Sequence, residues 1–147
     1  MAGGFQATTT IDRPIEEVFA FLAAGVNDPK FSPRVQEIIQ VTDGPVGVGT
    51  VFASTVKDAG MTTKREFEIT EYEAPTKLRW AERSKNLVTA PRGGYDLAAD
   101  GAGTRVTVFN ELEGHGVGKL LVGFALRQAR KGAPQFAAAI KRAAEAA

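Results

Sequence analysis

The chain predicts an α+β fold: a curved antiparallel sheet of six to seven strands wrapped around one long C-terminal helix, with short helices after the first strand. Three observations carry this. Val117 to Ala147 is the only long helix-compatible stretch. Nearly everything between Val35 and Leu112 reads as short strands joined by tight turns. A short helical segment, Pro14 to Ala24, follows the first strand directly. A sheet that large must cover its apolar face, and only the terminal helix is long enough to do so. A sheet wrapped around a helix also leaves room for a small-molecule pocket between them.

The elements follow in order. Phe5 to Ile11 alternates, with Phe5, Ala7, Thr9 and Ile11 on one face, as a half-buried strand does. Asp12 is placed to cap the next helix, Pro14 suits its first turn, and Glu16 and Glu17 suit its dipole. Ile15, Val18, Phe19 and Leu22 form its apolar stripe, and Gly25 ends it. Asn27 to Pro33 allows at most a single turn near Pro29 to Phe31. Strands follow at Val35 to Thr42 and Thr50 to Lys57. The glycine-rich link between them, residues 44–50, leads into a strand, so it offers no helix N-terminus to an anion and reads as a turn.

Further strands are predicted at Met61 to Tyr72, Lys77 to Glu82, Asn86 to Leu97 and Thr104 to Glu113. Pro91 and the Gly93-Gly94 pair mark a bulge or an edge in the third of these, and residues 100–103 mark a hairpin turn. In the terminal helix Pro134 removes a hydrogen bond, which predicts a kink or break near Lys131. An unbroken phase would align Val122, Leu126, Ala129, Ala133, Phe136, Ile140 and Ala144. Val117, Leu120, Leu121 and Phe124 lie roughly opposite, so the first half is apolar on two sides. That leaves room for a homodimer, a lid or a lipid contact there.

Composition narrows the function classes. One domain over residues 1–147 is expected, with a sizeable core. The formal net charge is +1, without the basic excess of a dedicated nucleic-acid binder. There is no cysteine and a single histidine, which excludes disulfides and argues against a transition-metal site. The first residues lack a signal-peptide pattern, and no apolar run approaches the roughly 20 residues of a membrane span. The expectation is a cytoplasmic protein without cofactor, metal, nucleic-acid partner or stable membrane insertion.

Four local patterns now meet: residues 11–22 (IDRPIEEVFAFL), 44–52 (GPVGVGTVF), 67–80 (FEITEYEAPTKLRW) and 95–108 (YDLAADGAGTRVTV). Together they resemble the SRPBCC superfamily, which includes START lipid-transfer domains, polyketide cyclase-dehydrases and pollen-allergen proteins. The resemblance covers almost the whole chain and implies the helix-grip fold. Its motifs are scaffold features, and the interruption at Gly132 and Pro134 departs from the usual continuous last helix. Fold alone does not decide function.

Strand parity selects the candidate site. Lys64, Glu66, Glu68 and Thr70 share a wet face, so Arg65, Phe67 and Ile69 look inward. A charge on that face needs a partner, a ligand anion or a route to solvent. The same parity turns Asn110 inward with Val106, Val108 and Leu112, and turns Trp80 and Leu78 inward while Arg79 faces out. Tyr95 pairs with Leu97, and a buried phenol seeks a partner. His115, flanked by Gly114 and Gly116, has the titration range for proton transfer, but no serine stands in a nucleophile-elbow context. Arg127, Arg130, Lys131, Lys141 and Arg142 form a basic face on the helix, read as solvated or as a contact for anionic headgroups.

Three function classes follow. The first is binding of a hydrophobic or amphipathic small molecule, lipid- or polyketide-like. Its wall would be Arg65, Phe67, Ile69, Leu78, Trp80, Tyr95, Val108, Asn110 and Phe124, with Arg65 meeting Asn110, Tyr95 or an acidic group of the ligand. The second is a polyketide cyclase/aromatase-type enzyme holding a poly-ketone, in which Arg65 polarises a carbonyl and Tyr95 or His115 moves protons. The third is a protein-interaction module using the two-sided half-helix.

Overall fold

The computed structural model describes residues 2–58 and 60–147. Strand β1 (Ala2–Ile11) leads into helix α1 (Ile15–Ala23) and a 3-10 helix, Gly25–Lys30. Six strands follow: β2 (Val35–Gln40), β3 (Val51–Asp58), β4 (Met61–Glu73), β5 (Lys77–Glu82), β6 (Val88–Asp100) and β7 (Gly103–Gly114). Helix α2 (Gly118–Ala146) ends the chain. The seven strands form one antiparallel sheet in the order β1-β7-β6-β5-β4-β3-β2, so β1 and β2 are its edges. This is the α+β helix-grip fold.

The register keeps the parity that alternation predicts. Phe52 opposes Phe67, Ser54 opposes Arg65 and Ile69 opposes Trp80, while Leu78, Tyr95 and Val108 line up across β5, β6 and β7. These side chains share the concave face, which packs on Phe19, Phe21, Phe31, Ala133, Ala137 and Ile140. Two irregularities tune it. The bulge after Ile69 in β4 resets the parity, so Tyr72 turns inward and meets Phe19 edge-on at 5.2 Å. The bulge between Thr89 and Arg92 in β6 absorbs Pro91, which has no N–H for the ladder.

Helix α2 rests on β1 and β7 and touches β6 and α1 more sparsely. Gly3 permits the approach: a β-carbon there would stand 2.9 Å from Leu126 Cδ1. Arg130 donates to the Gly4 carbonyl at 3.1 and 2.9 Å, and Lys141 to the Thr10 carbonyl at 2.8 Å. Two cations of the basic face therefore close the free edge of β1, which would otherwise invite another strand.

Three local expectations are corrected. Asp12 does not cap α1; its backbone N–H donates to the Glu145 carboxylate at 2.7 Å, and the helix opens behind Pro14 with no side-chain cap. Gly25 does not follow α1 as a stop but begins the 3-10 helix. Helix α2 is not broken near Lys131 and runs through Pro134 as one element. Val122, Leu126 and Ala133 before the proline and Ala137, Ile140 and Ala144 after it are all buried. That shared buried stripe outweighs one lost hydrogen bond, and Pro134 and Arg130 are both exposed, so water reaches the carbonyl left free.

Candidate ligand site

The polar group at the centre of the concave face depends on a glycine. Trp80 of β5 donates its indole N–H to Asn110 Oδ1 of β7 at 3.0 Å, across the intervening strand β6. Gly93 lies between them, and a β-carbon there would stand 2.0 Å from Asn110 Oδ1 and 2.4 Å from Trp80 Nε1. No other residue leaves that corridor open. Because indole nitrogen only donates, Asn110 must present its oxygen to Trp80, which turns its NH₂ the other way. That NH₂ has no partner among the described residues. Trp80, Asn110 and Phe67 are half-buried. They form an apolar floor with one oriented donor.

Tyr95 is buried beside this pair, its ring edge-on to Trp80 at 5.1 Å. Burial pushes its phenol well above the usual range, and the charge of Asp28 adds to that shift. Asp28 comes from the 3-10 helix, which the sequence offered only as a turn-rich segment. Desolvation raises its carboxyl from 3.8 to about 7, and it makes no ion pair among the described residues. A carboxyl held half-protonated near neutral pH is suited to give or take a proton. Nothing in Asn27-Asp-Pro29 signals that role, because a short irregular segment has no parity from which to read a direction.

Arg65 does face the concave side, yet it meets neither Asn110 nor Tyr95. Its Nη1 donates to Glu82 at 3.1 and 3.2 Å and to the Val88 carbonyl at 3.0 Å. The Glu82 side chain has no solvent exposure and also accepts from the Ala90 N–H at 2.8 Å, Ser84 Oγ at 2.6 Å and Asn86 Nδ2 at 3.1 Å. Arg65 keeps 22% side-chain exposure. It ties down the β5–β6 loop with Nη1 and leaves Nη2 uncommitted among the described residues.

The remaining candidates separate. Ile69, Leu78 and Val108 are buried in the core beneath Trp80. Phe124 is 56% exposed on α2. His115 hydrogen-bonds Thr89 at 2.7 Å, and Thr89 opposes Glu113 on the outer face, away from the Trp80 group. Two open depressions, about 490 and 940 Å³, are lined chiefly by convex-face residues, so neither is a cavity between sheet and helix.

The outer face holds one device that parity could not reveal. Arg79 points outward as expected but is buried, lying over Gly94, where a β-carbon would stand 2.7 Å from its Nη1. It donates to the Leu78 and Tyr95 carbonyls at 3.0 and 3.1 Å and to Asp96 at 2.8 Å, with its guanidinium 4.9 Å from the Phe109 ring centre. The Gly93-Gly94 pair thus serves Trp80 on one face and Arg79 on the other. No group of three or more His, Asp or Glu among the described residues is placed to hold a metal ion.

The model of one protein family, described as polyketide cyclase / dehydrase and lipid transport, matches residues 3–146. The chain belongs to that family. Solved structures agree on the fold. A protein of Thermus thermophilus is similar over 98% of this chain and 98% of its own, with a TM-score of 0.81 and 16% identity. The Zhui aromatase/cyclase from Streptomyces sp. R1128 is similar over 99% of this chain and 94% of its own, with a TM-score of 0.78 and 14% identity. A START superfamily protein from Mycobacterium smegmatis is similar over 97% of both chains, with a TM-score of 0.74 and 14% identity. Among curated proteins none matches the sequence significantly. The family thus joins cyclases with lipid carriers, the two classes that the chain's own residues must separate.

Proposed function

We propose that this family member binds one hydrophobic or amphipathic small molecule, lipid- or polyketide-like, on the concave face beneath the first half of α2. The observation that carries this is the Trp80–Asn110 pair: an oriented amide donor, otherwise unpartnered among the described residues, set in a floor of Trp80 and Phe67. An apolar wall with a few placed polar groups is the usual character of a small-molecule site. Asn110 then donates to a ligand carbonyl or hydroxyl, and the free side of Arg65 meets an acidic group. Ile69, Leu78, Tyr95 and Val108 back the floor; Phe124, expected in the wall, lies on the outward side of α2 opposite the buried Val122 and Leu126 and takes no part. The setting is taken as the cytoplasm, and no helix among the described residues is long and apolar enough to cross a membrane.

One observation favours the cyclase as second reading. Asp28 titrates near neutral pH close to Tyr95. Its base form takes a proton from the carbon beside a ketone of a folded poly-ketone, giving an enolate whose carbon attacks a second carbonyl to close the ring. The carboxyl, now protonated, returns that proton to the alkoxide so formed. Arg65 is a weaker carbonyl polariser in this scheme, because Glu82 already takes its charge. A pure interaction module has no use for these inward polar groups.

The test is displacement of an apolar fluorescent dye. Saturable dye binding, reversed by long-chain fatty acids or aromatic polyketides, is expected. A folded protein that takes up no dye and no apolar ligand overturns both readings. Turnover of a poly-ketone, lost in Asp28→Asn with dye binding intact, selects the enzyme.

A further inference from the structure

The opening turns of α2 are unlike the rest of the helix. Leu120 is 85% exposed, Val117 64% and Leu121 48%, and Leu87 from the β5–β6 loop adds a fourth apolar side chain at 44%. Leu87 belongs to the same tip: its carbonyl accepts from the His115 N–H at 2.8 Å, and a β-carbon on Gly118 would stand 1.8 Å from it. Val122 and Leu126, on the opposite side of the helix, are buried. The 3.6-residue period sets Leu120, Arg127 and Lys131 on one outward row with Val117 beside it.

Charge decides what such a ridge meets. Between Glu113 and Glu145 the chain has no acidic residue. Arg130 and Lys141 of the basic face are occupied by β1 carbonyls. Lys85, Lys119, Arg127 and Lys131 are exposed, and none is in an ion pair among the described residues. We propose that this tip, Leu87 with the first turns of α2, docks peripherally on an anionic lipid surface, its leucines entering the headgroup boundary and its free cations meeting lipid phosphates. Apolar tips among unpaired cations are what interfacial binding requires. A second copy fits poorly, since a two-fold contact on this ridge would gather Lys119, Arg127 and Lys131 of both copies in one interface, where α2 offers no acidic residue before Glu145 to pair them. A protein groove would take Val117, Leu120, Leu121 and the exposed Phe124, which keep the i, i+3, i+4, i+7 spacing of helix anchors. It would leave Leu87 and the cations Lys85, Lys119, Arg127 and Lys131 without a role, whereas an anionic lipid surface engages them all. Docking at this tip is independent of what the concave face binds.

Co-sedimentation with phosphatidylcholine vesicles, with and without about 30% phosphatidylglycerol, tests it. Three or four free cations predict partitioning on the order of 100-fold stronger on the anionic vesicles, falling steeply with added salt. Val117→Asn with Leu120→Asn, and separately Arg127→Gln with Lys131→Gln, are each expected to cut it at least about tenfold, with an unchanged circular dichroism spectrum. No partitioning, or equal partitioning of all three proteins, overturns the proposal. So does a dimer in solution that the Val117/Leu120 variant dissociates while vesicles are ignored.

Discussion

Arg65 neutralises a carboxylate with no access to water: the Glu82 side chain is fully buried, and Arg65 Nη1 stands 3.1 Å from it. Alternation of Lys64, Glu66 and Glu68 turns Arg65 inward, and the structure agrees. Its partner was out of reach, because Glu82 sits at a strand end and is brought alongside by the β4–β5 register, which no local pattern encodes. The pair makes a sharp prediction. Arg65→Met strands a fully buried carboxylate and is expected to cost about 3–5 kcal/mol in denaturant unfolding, where a freely solvated arginine would cost almost nothing. Asp28 was invisible in the sequence for want of any periodicity around it. Its raised carboxyl means that the folded state holds more protons than the unfolded state between the ordinary 3.8 and about 7. Its stabilising contribution is therefore complete below the lower value and lost as pH rises through the upper one. Asp28→Asn is expected to flatten stability across that window in unfolding curves taken at several pH values. An unchanged slope would show that Asp28 is charged and solvated.

At the scale of elements, the hydrophobic periods located all seven strands and both α-helices, with ends shifted by a few residues. The errors lie where long-range packing overrides a local rule. Pro134 signals a break by propensity, but the sheet beneath α2 holds the helix in phase on both sides of it. The Gly93-Gly94 pair reads as weak strand, and only the register shows each glycine clearing space on one face for a side chain from β5. Gly132 is a different case. It is exposed in the middle of α2, and a β-carbon there would meet nothing within 4 Å. Gly132→Ala is thus expected to stabilise the protein by about 0.5–1 kcal/mol, read as a raised denaturation midpoint. A loss of stability instead would mean that α2 bends at that position.

For the whole molecule, one asymmetry organises structure and function. The second half of α2 seals the core through Ala133, Ala137 and Ile140, whereas the first half buries Gly118, Val122 and Leu126 and leaves its outer face bare. The proposed function would divide from stability along one helix, and the Trp80–Asn110 pair lies on the sheet face that the grip curves around. Trp80 is the only tryptophan, so its fluorescence reports on that site alone. The most direct measurement is a titration of Trp80 emission with long-chain fatty acids and aromatic polyketides, in the wild type and in Asn110→Leu. A saturable, single-site change is predicted, weakened about tenfold in the variant by loss of one oriented hydrogen bond. No saturable change with any apolar ligand, or identical curves for the two proteins, would contradict it.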